Sequence, residues 1–131
     1  MVTRTASCQC GQLTAHCEGE PIRVSVCHCL DCQTRSGSAF AAQARWPDAA
    51  VTIMGTAKTW SRTGESGSVF TARFCPDCGS TIAYSVTAQP GIIAIPIGAL
   101  SGSPLPAPEY SVYEGRKRPW VEITGDVEHF D

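Results

Sequence analysis

Three tight groups of cysteines carry most of the chemistry this sequence can do: "CQC" (Cys8, Cys10), "CHCLDC" (Cys27, Cys29, Cys32) and "CPDC" (Cys75, Cys78). Thiolates at such spacings converge on one soft ion, and zinc held by protein alone takes four ligands in a tetrahedron. Two pairs make one complete set. In an extended chain residues i and i+2 share a face, so Cys8 and Cys10 reach the same ion. In "CPDCG", Pro76 and Gly79 shape a turn that aims Cys75 and Cys78 at one point. A closed four-thiolate site of this kind ties the N-terminus to a strand about 65 residues later and contributes folding energy directly. The competing reading makes one pair a redox dithiol.

Three cysteines are left over. Cys27 and Cys29 share a strand face, and Cys32 returns to it after a turn. Two residues compete for a fourth position. His28 lies between the first two sulfurs, points away from them and reads as a packed or hydrogen-bonded imidazole. Cys17 falls in line with Leu13 and Ala15 on an apolar face and reads as a small hydrophobe. If neither fills the gap, three protein thiolates and one exchangeable position remain, the pattern of a catalytic zinc. Three thiolates leave Zn²⁺ with a net charge of −1, a weak Lewis acid poorly suited to making hydroxide. Ligand matching favours a soft visitor such as another thiol, deprotonated and held as a nucleophile. His16 and His129 have no partner visible in the sequence and read as surface residues.

The elements that must position these sulfurs read as strands. "QLTAHC" sets Leu13, Ala15 and Cys17 on one face, and "IRVSVC" does the same for Ile22, Val24 and Val26. "SVFTARF" alternates, and "GIIAIPIG" is an apolar run whose Pro96 predicts an edge strand or a bulge. Turn signals separate the runs at 19–21, 46–48, 64–67 and 89–91. Leu30 to Ser36 reads as one short helical turn, and "SGSPLPAP" (Ser101–Pro108) as a surface connection. The pattern is that of a mainly antiparallel β protein. The 131 residues fit one domain, 1–131. Ten basic and twelve acidic residues give a net charge of −2, which argues against a nucleic-acid partner. Arg116, Lys117 and Arg118, the one basic run, read as a solvated loop. The N-terminus lacks the apolar region of a signal peptide, and no run is long enough to span a bilayer. These features predict a cytoplasmic protein, where thiols stay reduced. Oligomeric state is not legible.

Taken in order, "C-x-C-G" from Cys8, "C-H-C-x-x-C" from Cys27 followed by "R-S-G-S-A-F", and "R-F-C-P-D-C-G-S" ending at Ser80 resemble the GFA family. That family comprises the glutathione-dependent formaldehyde-activating enzymes and related centromere-protein-V-like domains. The tail "YEGRKRPWVEITGDVEHFD" (Tyr113–Asp131) also resembles that family's ending, so the likeness runs from about Ser7 to the C-terminus. The resemblance implies an Mss4-like fold of antiparallel sheets stabilised by zinc. It implies two zinc ions per chain, one structural on Cys8, Cys10, Cys75 and Cys78 and one catalytic on Cys27, Cys29 and Cys32. It implies a carbon–sulfur lyase that condenses a thiol, glutathione or similar, with formaldehyde to give S-hydroxymethylglutathione.

In that chemistry a developing alkoxide needs a donor. Arg35, Ser36 and Ser38 stand in the loop after Cys32, and Arg35 is the best charge partner for the −1 site or for a substrate carboxylate; its alternative is a surface arginine. Phe40 reads as a core residue, and Trp120 as lining either a pocket or a core gap. A non-catalytic zinc module for binding other molecules is the alternative function, and a redox protein with a reactive cysteine pair is a third.

Overall fold

The computed structural model describes residues 2–64 and 66–131. Eleven strands and one α-helix are present among these, besides three short 3-10 turns: β1 (Thr3–Ser7), β2 (Thr14–Glu18), β3 (Arg23–Cys27), α1 (Leu30–Ser36), β4 (Ala41–Pro47), β5 (Val51–Met54), β6 (Lys58–Thr63), β7 (Val69–Phe74), β8 (Thr81–Val86), β9 (Ile92–Pro96), β10 (Tyr110–Val112) and β11 (Glu128–His129). The fold is mainly β, as the alternating runs require. A small sheet in the order β1-β2-β5 faces a large one in the order β11-β10-β3-β4-β9-β8-β7-β6. Most pairings are antiparallel, but β10 runs parallel to both β3 and β11, so the large sheet is mixed at one edge. The predicted turn at 64–67 includes Glu65, which lies outside the described residues.

Alternation decides which residues meet. Ala15 and Cys17 of β2 point inward with Leu13, Val24, Ala44, Trp46, Ile82, Ile93, Ile95 and Leu100 to form the main core between the sheets. Each large side chain fully buried there contributes about 1.5–3 kcal/mol. Trp46 satisfies its indole N–H on the Gly19 carbonyl (3.0 Å), so the largest core residue leaves no polar group stranded.

Two strand readings need correction. Ile22 does not share the inner face with Val24 and Val26. It precedes β3 and is half exposed. The alternate residues of β3, which lies between β10 and β4, are also buried, Ser25 and Cys27 among them. The Pro96 run is not an edge strand either, since β9 is paired on both sides, with β4 and β8. Pro96 is tolerated because it is the last strand residue. β8 pairs with β9 at Tyr84↔Ala94, before Pro96 is reached, so its missing N–H costs no ladder bond to β8.

The large sheet therefore has two unlike faces. One is apolar and lies against the small sheet. The other carries Ser25, Cys27, Gln43 and Tyr84 and borders open cavities. Helix α1 follows the end of β3; it begins at Leu30, directly after Cys29, and carries Cys32 in its first turn. Gly37 ends it in the left-handed conformation (φ 65°), its N–H donating to the Gln33 carbonyl (2.9 Å); a side chain at that φ is strained.

Candidate metal centres and the adjoining cavity

Cys8 and Cys10 follow β1, and Cys75 and Cys78 sit in the turn between β7 and β8. The four sulfurs lie within 4.8 Å of one another. Cys8–Cys10 and Cys10–Cys75 are each 3.7 Å apart. A tetrahedron with metal–sulfur bonds of about 2.3 Å has edges of about 3.8 Å, so the set fits zinc. Its surroundings donate to sulfur as a thiolate site requires. The Leu13 N–H reaches Cys8 Sγ (3.3 Å) and the Gln12 amide reaches Cys75 Sγ (2.9 Å). Contact with the Ser80 hydroxyl, then with its backbone N–H, lowers the Cys78 pKa to about 5. Gln12 is itself held by the Thr56 backbone: its amide donates to the carbonyl (2.8 Å) and its Oε1 accepts the N–H (2.9 Å). That approach needs Gly55, where a Cβ would stand 2.1 Å from the Gln12 carbonyl oxygen. Neither Gln12 nor Gly55 is marked in the sequence, because a lone Gln and a lone Gly carry no spacing signal.

Cys27 ends β3, Cys29 caps α1, and Cys32 lies in the first turn of that helix. Their sulfurs also lie within 4.8 Å of one another. The Cys32 N–H donates to Cys29 Sγ (3.3 Å), as an N-cap side chain should accept. The thiols share protons unevenly. Contacts from Cys27 and then Cys32 hold the Cys29 pKa far down, while Cys27 and Cys29 push Cys32 up. Three thiolates this close repel one another, so a cation is what lets all three ionise. The donor set fits zinc.

The two competitors for a fourth position are engaged elsewhere. His28 is fully buried. Its Nε2 meets Ser111 Oγ (2.9 Å) and its ring lies 5.8 Å from that of Phe40. Burial lowers its pKa. Its backbone N–H joins the Val112 carbonyl (3.0 Å), and its ring nitrogens do not join the three sulfurs. Cys17 is fully buried in the apolar core, where burial raises its pKa to about 11. Among the described residues no His, Cys, Asp or Glu joins the three sulfurs.

This second set opens onto cavities. Cys29 and Cys32 line one of about 550 Å³ whose walls include Arg35, Trp60, Phe70 and Tyr113. Cys27 and Cys32 line a neighbour of about 310 Å³ over the polar sheet face. Arg35 projects from α1 with its guanidinium 4.2 Å from the Tyr84 ring centre and 5.7 Å from that of Phe70, a cation held by two aromatic faces rather than a free surface arginine. An ion pair between Arg62 and Asp31 links β6 to α1. Ser36 is not available as a donor, because its hydroxyl bonds the Cys32 carbonyl (2.7 Å). Ser38 lines a different pocket, away from the sulfurs. Phe40 is half-buried on His28 rather than in the main core. Trp120 is 77% exposed, which excludes the core gap, and it borders a shallow pocket with Leu30 and Arg118. His16 meets Thr5 Oγ1 (3.1 Å) and His129 pairs with Glu114 (2.7 Å), partners the sequence does not reveal.

A family model described as "Glutathione-dependent formaldehyde-activating enzyme" matches residues 3–116. The chain belongs to this GFA family. The match takes in all seven clustered cysteines and Arg35, and it stops short of Trp120, whereas the resemblance in motifs runs on to Asp131. A crystal structure of a Rhodobacter sphaeroides protein, a Northeast Structural Genomics target, is similar to this GFA chain with a TM-score of 0.59. The two are 18% identical, and the alignment covers 76% of this chain and 90% of that one. At that identity the likeness shows the fold alone. No curated protein matches the chain. No helix among the described residues is long and apolar enough to cross a membrane.

Proposed function

We propose that this GFA chain is a zinc-dependent enzyme of the carbon–sulfur lyase type, in which a thiol, glutathione or similar, adds to formaldehyde or a related small electrophile beside Cys27, Cys29 and Cys32. One observation carries the reading: three sulfurs gathered at a cavity wall with no fourth protein ligand among the described residues. Cys27, Cys29 and Cys32 would hold a zinc ion, which would supply an open position that favours the thiolate form of a soft thiol. In the addition the sulfur–carbon bond forms, the carbonyl π bond breaks, and the oxygen takes up a proton to give a hydroxymethyl thioether.

The chain's own groups have separable tasks. Arg35 offsets the net negative charge of three thiolates and faces the oxygen on which charge develops. Its seat on Tyr84 and Phe70 holds it ready, and among the described residues it ion-pairs with no carboxylate. Trp60, Phe70 and Tyr113 narrow the cavity and displace water, which strengthens each of these interactions. The closed set on Cys8, Cys10, Cys75 and Cys78 holds a second, structural zinc. Eight unpaired cysteines fit a reducing compartment such as the cytoplasm.

The test begins with metal content after purification without chelators. Two zinc ions per chain are expected, of which mild chelation removes one. Exchange NMR of a thiol panel with formaldehyde then reads the addition rate over the spontaneous one. A single firmly held zinc, or no acceleration with any thiol, points instead to a non-catalytic binding module.

A further inference from the structure

The loop 27–32 gathers three sulfurs within 4.8 Å of one another. As thiolates they repel, so something outside the loop must hold it in shape. His28, the residue between the first two sulfurs, is fully buried and is held at three points. Its N–H donates to the Val112 carbonyl (3.0 Å). Its ring Nε2 meets the hydroxyl of Ser111 (2.9 Å), which is also fully buried. Its carbonyl accepts from the side-chain amide of Gln33 (2.8 Å). Two of the three anchors come from β10, which runs parallel to β3 with Val112 opposite Cys27.

The third anchor reaches both ways. Gln33 follows Cys32 directly, and its Nε2 also donates to the Arg116 carbonyl (3.1 Å), so both amide protons are used. Its own N–H donates to the Cys29 carbonyl (3.0 Å). One residue therefore ties the cysteine loop, helix α1 and residue 116 together. Arg116 is a fixed acceptor, because it closes a 3-10 turn (Glu114–Arg116) with its N–H on the Tyr113 carbonyl (3.0 Å). Tyr113, which enters that turn, is the one residue other than glycine with a positive φ among the described residues (57°). That conformation is strained for a residue with a side chain and persists only where its surroundings fix it. The backbone to which Gln33 holds is thus rigid and does not follow the loop.

We infer that Gln33 is a positioning residue for the cysteine triple: by bridging the His28 and Arg116 carbonyls it keeps Cys27, Cys29 and Cys32 in a metal-binding arrangement. Neither of its amide hydrogen bonds goes to a sulfur, so it acts through the loop and not as a ligand. A loose loop must be ordered when it binds, and that lowers affinity; a loop already ordered does not carry this cost. Hydrogen-bonding partners behind the ligands commonly change metal affinity about 10–100-fold. The inference rests on the reading of the triple as a metal site given above and concerns its affinity, not its reaction.

Cobalt titration tests this without reference to catalysis. The full chain is chelated mildly so that the four-sulfur set keeps its zinc. Co²⁺ is then added, and thiolate-to-cobalt charge transfer is followed in the near ultraviolet. Gln33→Met keeps the length of the side chain and removes both donors. It should weaken cobalt binding at the triple about tenfold or more and leave the zinc of the four-sulfur set as firmly held as in the parent chain. A general loss of stability would loosen both centres together. Ser111→Ala, which frees the His28 ring, should act in the same direction as Q33M. Gln33 is only half-buried, so Q33M keeps the test valid if S111A fails to fold. Cobalt affinity in Q33M equal to the parent's, or a matching loss at both centres, would overturn the inference. A parent chain that takes up no cobalt at the triple would overturn both the inference and the proposed function. Weaker cobalt binding in Q33M, beside a parent chain that accelerates no thiol addition, would keep the inference and remove the enzymatic reading. Thiol addition together with cobalt binding indifferent to Gln33 would do the reverse.

Discussion

The two cysteine sets use the same atoms and differ in what surrounds them. The set on Cys8, Cys10, Cys75 and Cys78 draws its sulfurs from two distant turns, and Gln12 and Leu13 furnish it with donors. The set on Cys27, Cys29 and Cys32 comes from six consecutive residues and borders cavities lined by arginine and aromatic rings. One is a cross-link between segments. The other is a local loop with an accessible side. A thiolate cluster's role follows from where its fourth position points.

That contrast is breakable. The largest effect is expected at the four-sulfur set. Apparent free energies of about 10–16 kcal/mol for structural zinc match or exceed the whole stability of a domain, about 5–15 kcal/mol. Cys75→Ser should therefore abolish cooperative thermal unfolding followed by circular dichroism, whereas Cys29→Ser should shift Tm by only a few degrees. A C75S protein that melts like the parent would erase the distinction. Next, C29S should slow thiol–formaldehyde addition at least about 100-fold, or about 2.7 kcal/mol, when measured by exchange NMR; an unchanged rate would detach the reaction from this set.

Smaller effects sharpen the boundary between ligand and core. Cys17→Ser places a hydroxyl in an apolar core and should cost about 1–3 kcal/mol in chemical denaturation, with zinc content unchanged. Loss of a zinc in that variant would mean Cys17 belongs to a ligand set after all. The smallest effect concerns the edge that backs the triple. The His129 contact, then Ser111, holds the Glu114 pKa below 4.5. Its contribution is therefore complete above about pH 4.5 and fades as pH falls through the depressed value. As an exposed pair it should be worth under about 1 kcal/mol. The stability gap between the parent chain and Glu114→Gln should thus hold at neutral pH and close in acid; a gap that widened in acid would reverse the assignment.

Much of the site was legible because metal ligation leaves a spacing signature. Seven cysteines in three groups give both sulfur sets, and the alternation of Leu13, Ala15 and Cys17 explains why the eighth stays apart. The helical turn at Leu30–Ser36 was equally plain, since a strand ending in Cys27 must turn to return Cys32. The polar face of the large sheet is masked in the sequence by the apolar alternation: in "RVSVC" the alternate residues Arg23, Ser25 and Cys27 are buried or line the cavity as well. No spacing rule announces that β10, some 80 residues on, lies parallel to β3, or that Arg35 finds Tyr84. Such contacts depend on tertiary order rather than on local pattern.

The parallel seating of β10 has a consequence for the growing polypeptide. Its residues 110–112 pair with 25–27, and Val112 bonds the backbone of His28. On the ribosome all four members of the distant set have been made once residue 78 emerges. The local trio is made by residue 32, yet one of its flanking strands, β10, arrives some 80 residues later. A nascent chain thus offers three reactive thiols long before the pocket around them is finished, so premature metal capture or oxidation there is a hazard that a later-completed wall removes.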